Sequence, residues 1–394
     1  MSDLIIPAIV IPCYKRADAL KNLCTGLLNA EYPEGIRIPL VFAVDFCEKS
    51  KVPDFVAQFE WPYGEKIVIA HPTNLGLKKN ILLCGDLSAT YGAVIVLEDD
   101  LLVSKTFYRY ALLAINFYNS STMISGISLY SYSLNELVNL PFHPITENCD
   151  VHFIGFPSSW GQAWTHRQWQ RFRRYYDSAP ELKEVKLPAQ VKSWKETSWK
   201  KYFCAFLIES QTYFVYPNQS QTTNFSDFAG THHFKGTGIY QTPIQNKKDW
   251  KFENVEKQTI KYDAFFELAP EAFVRTGLEP FINSLTIDLH GVKLRSFKIA
   301  GIDSEYILTK TSYVTGKPIL TFGMKLKPPE NNIIYHIPGT QIGLYRTDGL
   351  TTAQSGLHFY ENDYYTPFIT LPDLIKTSSR KVISKLKRKI SLPY

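Results

Sequence analysis

Near the start of the chain, apolar and β-branched residues gather in short unbroken runs: "PAIVIPCY", "IPLVFAVD", "KIVIAHP" and "AVIVLEDD". Runs of this length, bounded by Pro and polar residues, predict strands. Between them, Ala17 to Leu28 carries Leu20, Leu23, Cys24, Leu27 and Leu28 at helical spacing, and Leu77 to Tyr91 predicts a second long helix. Alternation of strand and helix predicts an α/β fold whose mostly parallel sheet is covered on both faces. In such open sheets ligands bind outside the carboxyl ends of the strands. Those ends carry "PCYKR", "VDFCEK", "HPTNLG" and "EDD", which puts polar and charged groups on one rim.

The middle of the chain is mixed and rich in Trp and Tyr. "KTFYRYALLAINFYNSS" predicts a helix, "TMISGISLYSYS" a strand, and "SSWGQAWTHRQWQRFRRYY" a Gly turn leading into a basic aromatic helix. Trp194 to Ile208 predicts another helix, "QTYFVYPNQS" a strand stopped by Pro, and "TNFSDFAGTHHFKGTG" a long Gly-rich loop of the kind that usually serves function. Farther on, "LHGVKLRSFKIAGI", "KPILTFGMKLKPP", "NIIYHIPG" and "TQIGLYRTD" are short alternating runs separated by turn residues, which predict an antiparallel all-β unit. The expected organisation is an α/β domain over 1–262, a β-rich accessory domain over 263–372 and a basic tail over 373–394.

Composition narrows the classes. With 394 residues the chain exceeds the size at which one core usually stops growing, which favours more than one domain. Its 45% hydrophobic and 14% aromatic content is that of a globular protein. No apolar run approaches the roughly 20 residues that span a bilayer, and "MSDLIIPAIVIPCYKR" has no basic stretch ahead of its apolar one, so the expected location is the cytoplasm. The six cysteines stand singly without a CxxC pair and read as reduced thiols. After Asp373 no acid follows, while Lys376, Arg380, Lys381, Lys385, Lys387, Arg388 and Lys389 surround Val382, Ile383, Leu386 and Ile390 on one helical face. Such a tail is either a solvated terminus or a helix resting on an anionic membrane surface, at about 1 kcal/mol per cation. Nucleic acid is not expected as a partner: the net charge of +6 is modest and no nucleic-acid module accompanies "HRQWQRFRRYY".

Glu98, Asp99 and Asp100 follow directly on an apolar strand. Adjacent carboxylates repel and resist desolvation. At the mouth of a cleft they call for a cation, and hard oxygen ligands next to a phosphate suit Mg²⁺ or Mn²⁺. The plainer alternative is a strand that ends in solvent.

"IPCYKR", the strand-end Asp45, "NLGLKKN" and "VLEDDLLVSKTF" occur in a fixed order that resembles the nucleotide-sugar glycosyltransferases of GT-A fold. The chain is more closely similar to bacterial polysaccharide glycosyltransferases distantly related to animal N-acetylglucosaminyltransferase I, whose acidic loop also reads Glu-Asp-Asp-Leu. "WGQAW", "SWKETSWKKYFCAFL", "YFVYPNQSQTTNF" and "GTHH" extend the resemblance over roughly residues 5 to 240. It does not reach the β-rich unit.

The resemblance implies an inverting, metal-dependent transfer from a nucleotide sugar, UDP-linked by family default, to a glycan or lipid-linked glycan acceptor in surface polysaccharide synthesis. Asp100 would ligate the metal, Asp99 the ribose or a metal-bound water, and Glu98 the donor sugar or its own loop. Pro12, Tyr14 and Arg16 would line the base and phosphate pocket. Asp45 would accept hydrogen bonds from base or ribose, or else act as a turn or cap acid. Asn74, Gly76 and Lys79 would open the next helix against the nucleotide. Where relatives carry an aspartate, this chain has Lys192. Glu196 is therefore the first candidate base, or an ordinary exposed helix Glu, and Asp227 is the second. His232, preferred over His233, would bind diphosphate or complete the metal shell. Trp160, Gly161 and Trp164 would shape a sugar pocket, or the tryptophans would serve as core.

Two other readings use the same residues. A nucleotidyltransferase shares the α/β layout but needs a Gly-rich loop after the first strand, which "PCYKRADAL" lacks. A glycan-binding protein on a degenerate transferase scaffold would explain Lys192, against which the intact acidic triplet argues.

Overall fold

Four apolar runs become strands: Ala8–Cys13 (β1), Leu40–Val44 (β2), Lys66–Ala70 (β3) and Ala93–Val96 (β4). Every residue of β1, β2 and β4 is buried, which is why these runs read as continuous rather than alternating. Helices Ala17–Leu28 (α1), Val52–Gln58 (α2) and Gly76–Asp86 (α3) connect them. The computed structural model describes residues 4–225 and 238–353, with the single positions 364, 370, 372, 375 and 379.

Leu101–Val103 (β5), Phe107–Tyr118 (α4) and Ile124–Ser128 (β6) follow, then Val151–Ile154 (β7), Gln162–Thr165 (β8) and His166–Asp177 (α5). Trp199–Ser210 (α6), Tyr213–Pro217 (β9), Thr222–Asn224 (β10) and Lys261–Tyr262 (β11) complete the large unit. Nine of the strands form one sheet in the order β11-β7-β9-β6-β8-β4-β1-β2-β3. Its half from β4 to β3 is parallel throughout, whereas β8 enters antiparallel between β4 and β6. The expected α/β class therefore stands, with a mixed sheet.

Alternate residues of β1 face different cores. Ile9 and Ile11 pack with Leu20, Leu23 and Leu27 of α1, while Ala8 and Val10 pack with Ile81 and Cys84 of α3 and with Trp164, Trp169 and Phe203. Helix α5 starts at a capping box in which Gln168 N donates to Thr165 Oγ1 at 3.2 Å and Thr165 N donates to Gln168 Oε1 at 3.1 Å. Gly85 lets α3 approach that helix, because a Cβ there would stand 2.2 Å from the Trp169 ring.

The expected antiparallel all-β unit is corrected. Leu285–Asp288 (β12) and Tyr306–Lys310 (β13) run parallel, joined through the helix Val292–Phe297 (α7), and Leu320–Phe322 (β14) and Ile342–Arg346 (β15) complete a four-stranded mixed sheet. The helix forms because Asp288 accepts from Lys293 N and Leu294 N, each at 2.9 Å. Leu285, Ile287, Leu308 and Leu344 share one core with Tyr262 and Phe266 at the edge of the large sheet. The basic segment 373–394 lies outside the described residues apart from positions 375 and 379. Among the described residues no helix is long and apolar enough to cross a membrane.

Candidate functional site

β1 and β4 are parallel neighbours in the register Val10↔Val96, so the residues that follow each strand emerge at one rim. There Arg16 Nη1 donates to Asp100 Oδ2 at 2.8 Å, and Arg16 Nη2 donates to Asp99 Oδ1. The Asp99 side chain is 5% exposed, Arg16 17% and Asp100 25%, so the group is desolvated on one side and open on the other. Burial works against the Arg16 charge, but the two carboxylates outweigh it and push its pKa up.

Glu98 and Asp99 do not titrate normally. Burial, then the neighbouring Asp100, pushes Glu98 up to about 8, against the opposing charges of Arg16 and Lys200. Burial also pushes Asp99 up to about 6, although Arg16 pulls the other way. Folded Glu98 therefore keeps a proton that the unfolded chain has released above its ordinary 4.5. The stability this contributes is complete below that value and is lost as pH rises toward 8. Cation binding runs the other way, because an ion needs the carboxylate. Mn²⁺ affinity measured by calorimetry is expected to rise by roughly tenfold per pH unit between pH 6 and 8. A flat profile would mean that Glu98 does not face the ion.

Behind the triplet lies a buried ion pair that the sequence reading did not single out. Lys200 Nζ donates to Glu136 Oε1 at 2.8 Å, Oε2 at 3.0 Å and the Tyr132 hydroxyl at 3.1 Å. Rings of Phe156, Trp194, Trp160 and Tyr132 surround the ammonium with centroids 4.8 to 5.8 Å away. Gln162 was missed as well. It lies in β8 opposite Val96 of β4, the residue two before Glu98, and is fully buried, and among the described residues neither of its amide atoms has a hydrogen-bond partner. A buried amide left unpaired is costly, so this position is one where an ordered water or other polar group would be favourable.

Several expected residues sit elsewhere. Asp45 accepts from Phe46 N at 3.0 Å and Leu75 N at 2.7 Å through Oδ1, and from Gly76 N at 2.9 Å through Oδ2. Both oxygens thus bond the start of α3, 30 residues away, with only the Phe46 N bond of the local turn kind noted above. D45A is expected to cost about 2–3 kcal/mol in urea denaturation, and D45N less. A loss within 0.5 kcal/mol, on the order of an ordinary surface change, would contradict the capping role.

Pro12 is buried within β1 opposite Ala43, so it packs the sheet instead of lining a pocket. Tyr14 is half-buried, and its carbonyl accepts from Ser50 Oγ at 2.8 Å. Gly76, at φ +74°, begins α3, and Asn74 Nδ2 donates to Phe46 O at 3.2 Å. Lys79 is exposed; its neighbour Lys78 reaches across to the Glu196 carbonyl at 2.8 Å.

Trp164 is fully buried, 4.7 Å from the Trp169 ring and stacked on Phe203, which makes it core and not pocket wall. Trp160 is half-buried between Tyr130 and Tyr240, with ring centroids at 4.8 and 5.0 Å. Gly161 has φ +93°, and a Cβ there would lie 2.9 Å from Thr222 Oγ1, so the turn that delivers Gln162 requires glycine.

Glu196 is a poor fit for a base. Its side chain is 67% exposed, and its two oxygens accept from Lys201 Nζ at 2.6 Å and the Tyr202 hydroxyl at 2.8 Å. These bonds hold its pKa below the usual carboxylate range, which weakens it as a proton acceptor at neutral pH. Asp227, His232 and His233 lie outside the described residues.

The donor atoms at the rim are of the hard oxygen type that Mg²⁺ or Mn²⁺ takes, although the three acids do not converge on one point as they stand. Three acids face one arginine, Arg16 engages one oxygen of each aspartate, and Asp100 is the most exposed member of its ion-paired group. Asp100 and Asp99 are the residues that would hold Mg²⁺ or Mn²⁺.

No protein-family model matches the chain, and no curated protein matches it in sequence. Among solved structures it is similar to a mannosyltransferase from Pyrobaculum calidifontis in complex with GDP-Man and Mn²⁺ (TM-score 0.30, 11% identity, 42% of this chain and 45% of that one). It is also similar to TarS 1-349 of S. aureus (TM-score 0.37, 12% identity, 56% and 60%) and to the same protein in complex with UDP-GlcNAc (TM-score 0.36, 13% identity, 55% and 57%). The chain thus spans less than two thirds of the length of each, and the functional reading rests on the chemistry of its own rim.

Proposed function

We propose that the chain is a GT-A-type glycosyltransferase that takes a sugar from a nucleotide donor, with Mg²⁺ or Mn²⁺ held at Asp100 and Asp99. The observation that carries this reading is the desolvated acidic triplet, bridged by Arg16, at the carboxyl ends of parallel strands. A diphosphate leaving group carries about two negative charges, and a bound divalent ion would stabilise it without proton transfer. On the protein side, Arg16 holds both aspartates in place, and the half-buried Trp160 would offer an aromatic face to a sugar. The acceptor is a glycan or lipid-linked glycan, with the basic tail as the element that would bring the enzyme to an anionic membrane surface.

One observation favours a second reading. The commitment of Glu196 to Lys201 and Tyr202 leaves the described residues without the base the resemblance led us to expect, as in a glycan-binding protein on a transferase scaffold. A thermal-shift panel separates the two: UDP, GDP, CDP and TDP, then UDP-GlcNAc and GDP-Man, each with Mn²⁺, Mg²⁺ or chelator. A nucleotide present at 100 times its Kd should add about 2.7 kcal/mol to stability. Stabilisation by one nucleotide only in the presence of metal supports the transferase, and absence of any shift supports the glycan-binding protein.

A further inference from the structure

Away from the rim, three side chains converge inside the C-terminal unit. Glu267, His290 and Glu330 are 0%, 3% and 2% exposed, and one ligand atom from each lies within 4.8 Å of the others. Among the described residues no other set of His, Cys, Asp and Glu side chains meets in this way, the acidic triplet included. Among the described residues Glu267 Oε2 and Glu330 Oε2 are buried with no hydrogen-bond partner, although the charge of Lys310 acts on Glu330. Lys293, the basic residue near Glu267, is taken up by Asp263 at 2.6 Å. Two buried carboxylates, each with an oxygen left open, are expensive to keep ionised beside an imidazole unless a cation completes them.

Each of the three is held by its own local framework. Asp263 Oδ1 accepts from Glu267 N at 3.1 Å, and Glu267 Oε1 accepts from His290 N at 2.7 Å. His290 is two residues beyond β12, where Asp288 caps α7. Glu330 stands at the start of a short helical turn fixed by the fully buried Asn332, which bonds to the backbone of Lys325, Leu326 and Pro329 at 2.7 to 2.9 Å. Such outer bonds orient metal ligands.

We infer that Glu267, His290 and Glu330 form a structural divalent-cation site, of zinc type, which ties the edge of the large sheet to the C-terminal unit. One imidazole nitrogen and two carboxylate oxygens form a mixed donor set that zinc accepts. Ligands about 2.0–2.1 Å from a tetrahedral ion stand about 3.3–3.4 Å apart, so the spread present here closes with a small contraction. The ion would join three segments that are distant in sequence, and binding to the folded chain alone would stabilise it.

The test uses the full chain, purified without added metal and analysed by elemental mass spectrometry, then dialysed against chelator and titrated with Zn²⁺ or Mn²⁺ alone. The expected result is one ion per chain after Zn²⁺ loading, a Tm about 5 °C lower in the chelated protein, and its recovery at one equivalent. E330Q should lose the ion, whereas D100N, altered only at the rim, should keep it, which separates this site from the nucleotide-dependent one. If E330Q does not fold, the chelator and titration arms on the unaltered chain decide. Equal Tm values for chelated and zinc-loaded protein, or an ion retained in E330Q, would overturn the site.

Discussion

Replacing Asp100 by Asn is expected to lower sugar transfer by roughly 100- to 1000-fold, the size of effect seen when one preorganised charge-stabilising group is removed. The substitution keeps the shape of the side chain and an oxygen that Arg16 can still reach, so the fold should survive. What is lost is the charge of the acid left most exposed at the rim. A second signature follows from the coupling between the acids: Asp100 is the second cause, after burial, of the raised pKa of Glu98. In D100N the titration of Glu98 should move down from about 8, and metal-dependent nucleotide stabilisation should disappear. Transfer within threefold of the unaltered protein would remove Asp100 from the site, whatever the Tm shows. D99N should be milder, because Asp99 is buried against Arg16 and faces solvent less.

How far the site was legible depended on whether its parts were local. The meeting of charges at the rim was legible because β1 and β4 bury every residue and then end side by side, so the polar residues that follow each run come together at one edge. The triplet was placed at that edge by this pattern and Arg16 by the resemblance, and the two are ion-paired there. Asp45 carried the same signal for another reason: a strand-end carboxylate that caps a helix brought in from the far side of the next strand looks, in sequence, like one that binds a ribose. Pro12 and Trp164 were assigned from motif position, and burial decided against both.

Lys200 and Glu136 are 64 positions apart, and a lysine in a helix with Lys201 beside it reads as solvent-facing until the sheet is assembled around it. Gln162 was hidden within "WGQAW", where the tryptophans draw attention and only the register against β4 shows an amide facing no partner. The crossover between β12 and β13 was missed because α7 has six residues, too few to display a period. Glu267, His290 and Glu330 lie in three separate segments and carry no spacing signal at all.

The Lys200–Glu136 pair should show the largest stability effect of any substitution near the rim. Both side chains are about a tenth exposed or less, so neither charge is screened by water. Removing one partner strands the other, and K200M is expected to cost about 3–5 kcal/mol in denaturant unfolding. The double variant K200M/E136L, with apolar chains of similar length in a setting of Tyr132, Phe156, Trp160 and Trp194, should recover much of that loss. The cycle would then return a coupling of about 2 kcal/mol or more. The pair also reaches the rim electrostatically, because Lys200 is one of the charges that hold the Glu98 pKa down. In the double variant Glu98 should titrate higher still, and Mn²⁺ affinity at pH 7 should fall even though no rim residue has changed. A double variant that is stable and binds Mn²⁺ as before would assign the pair to packing alone; recovered stability with weakened metal binding would make it the electrostatic support of the acidic triplet.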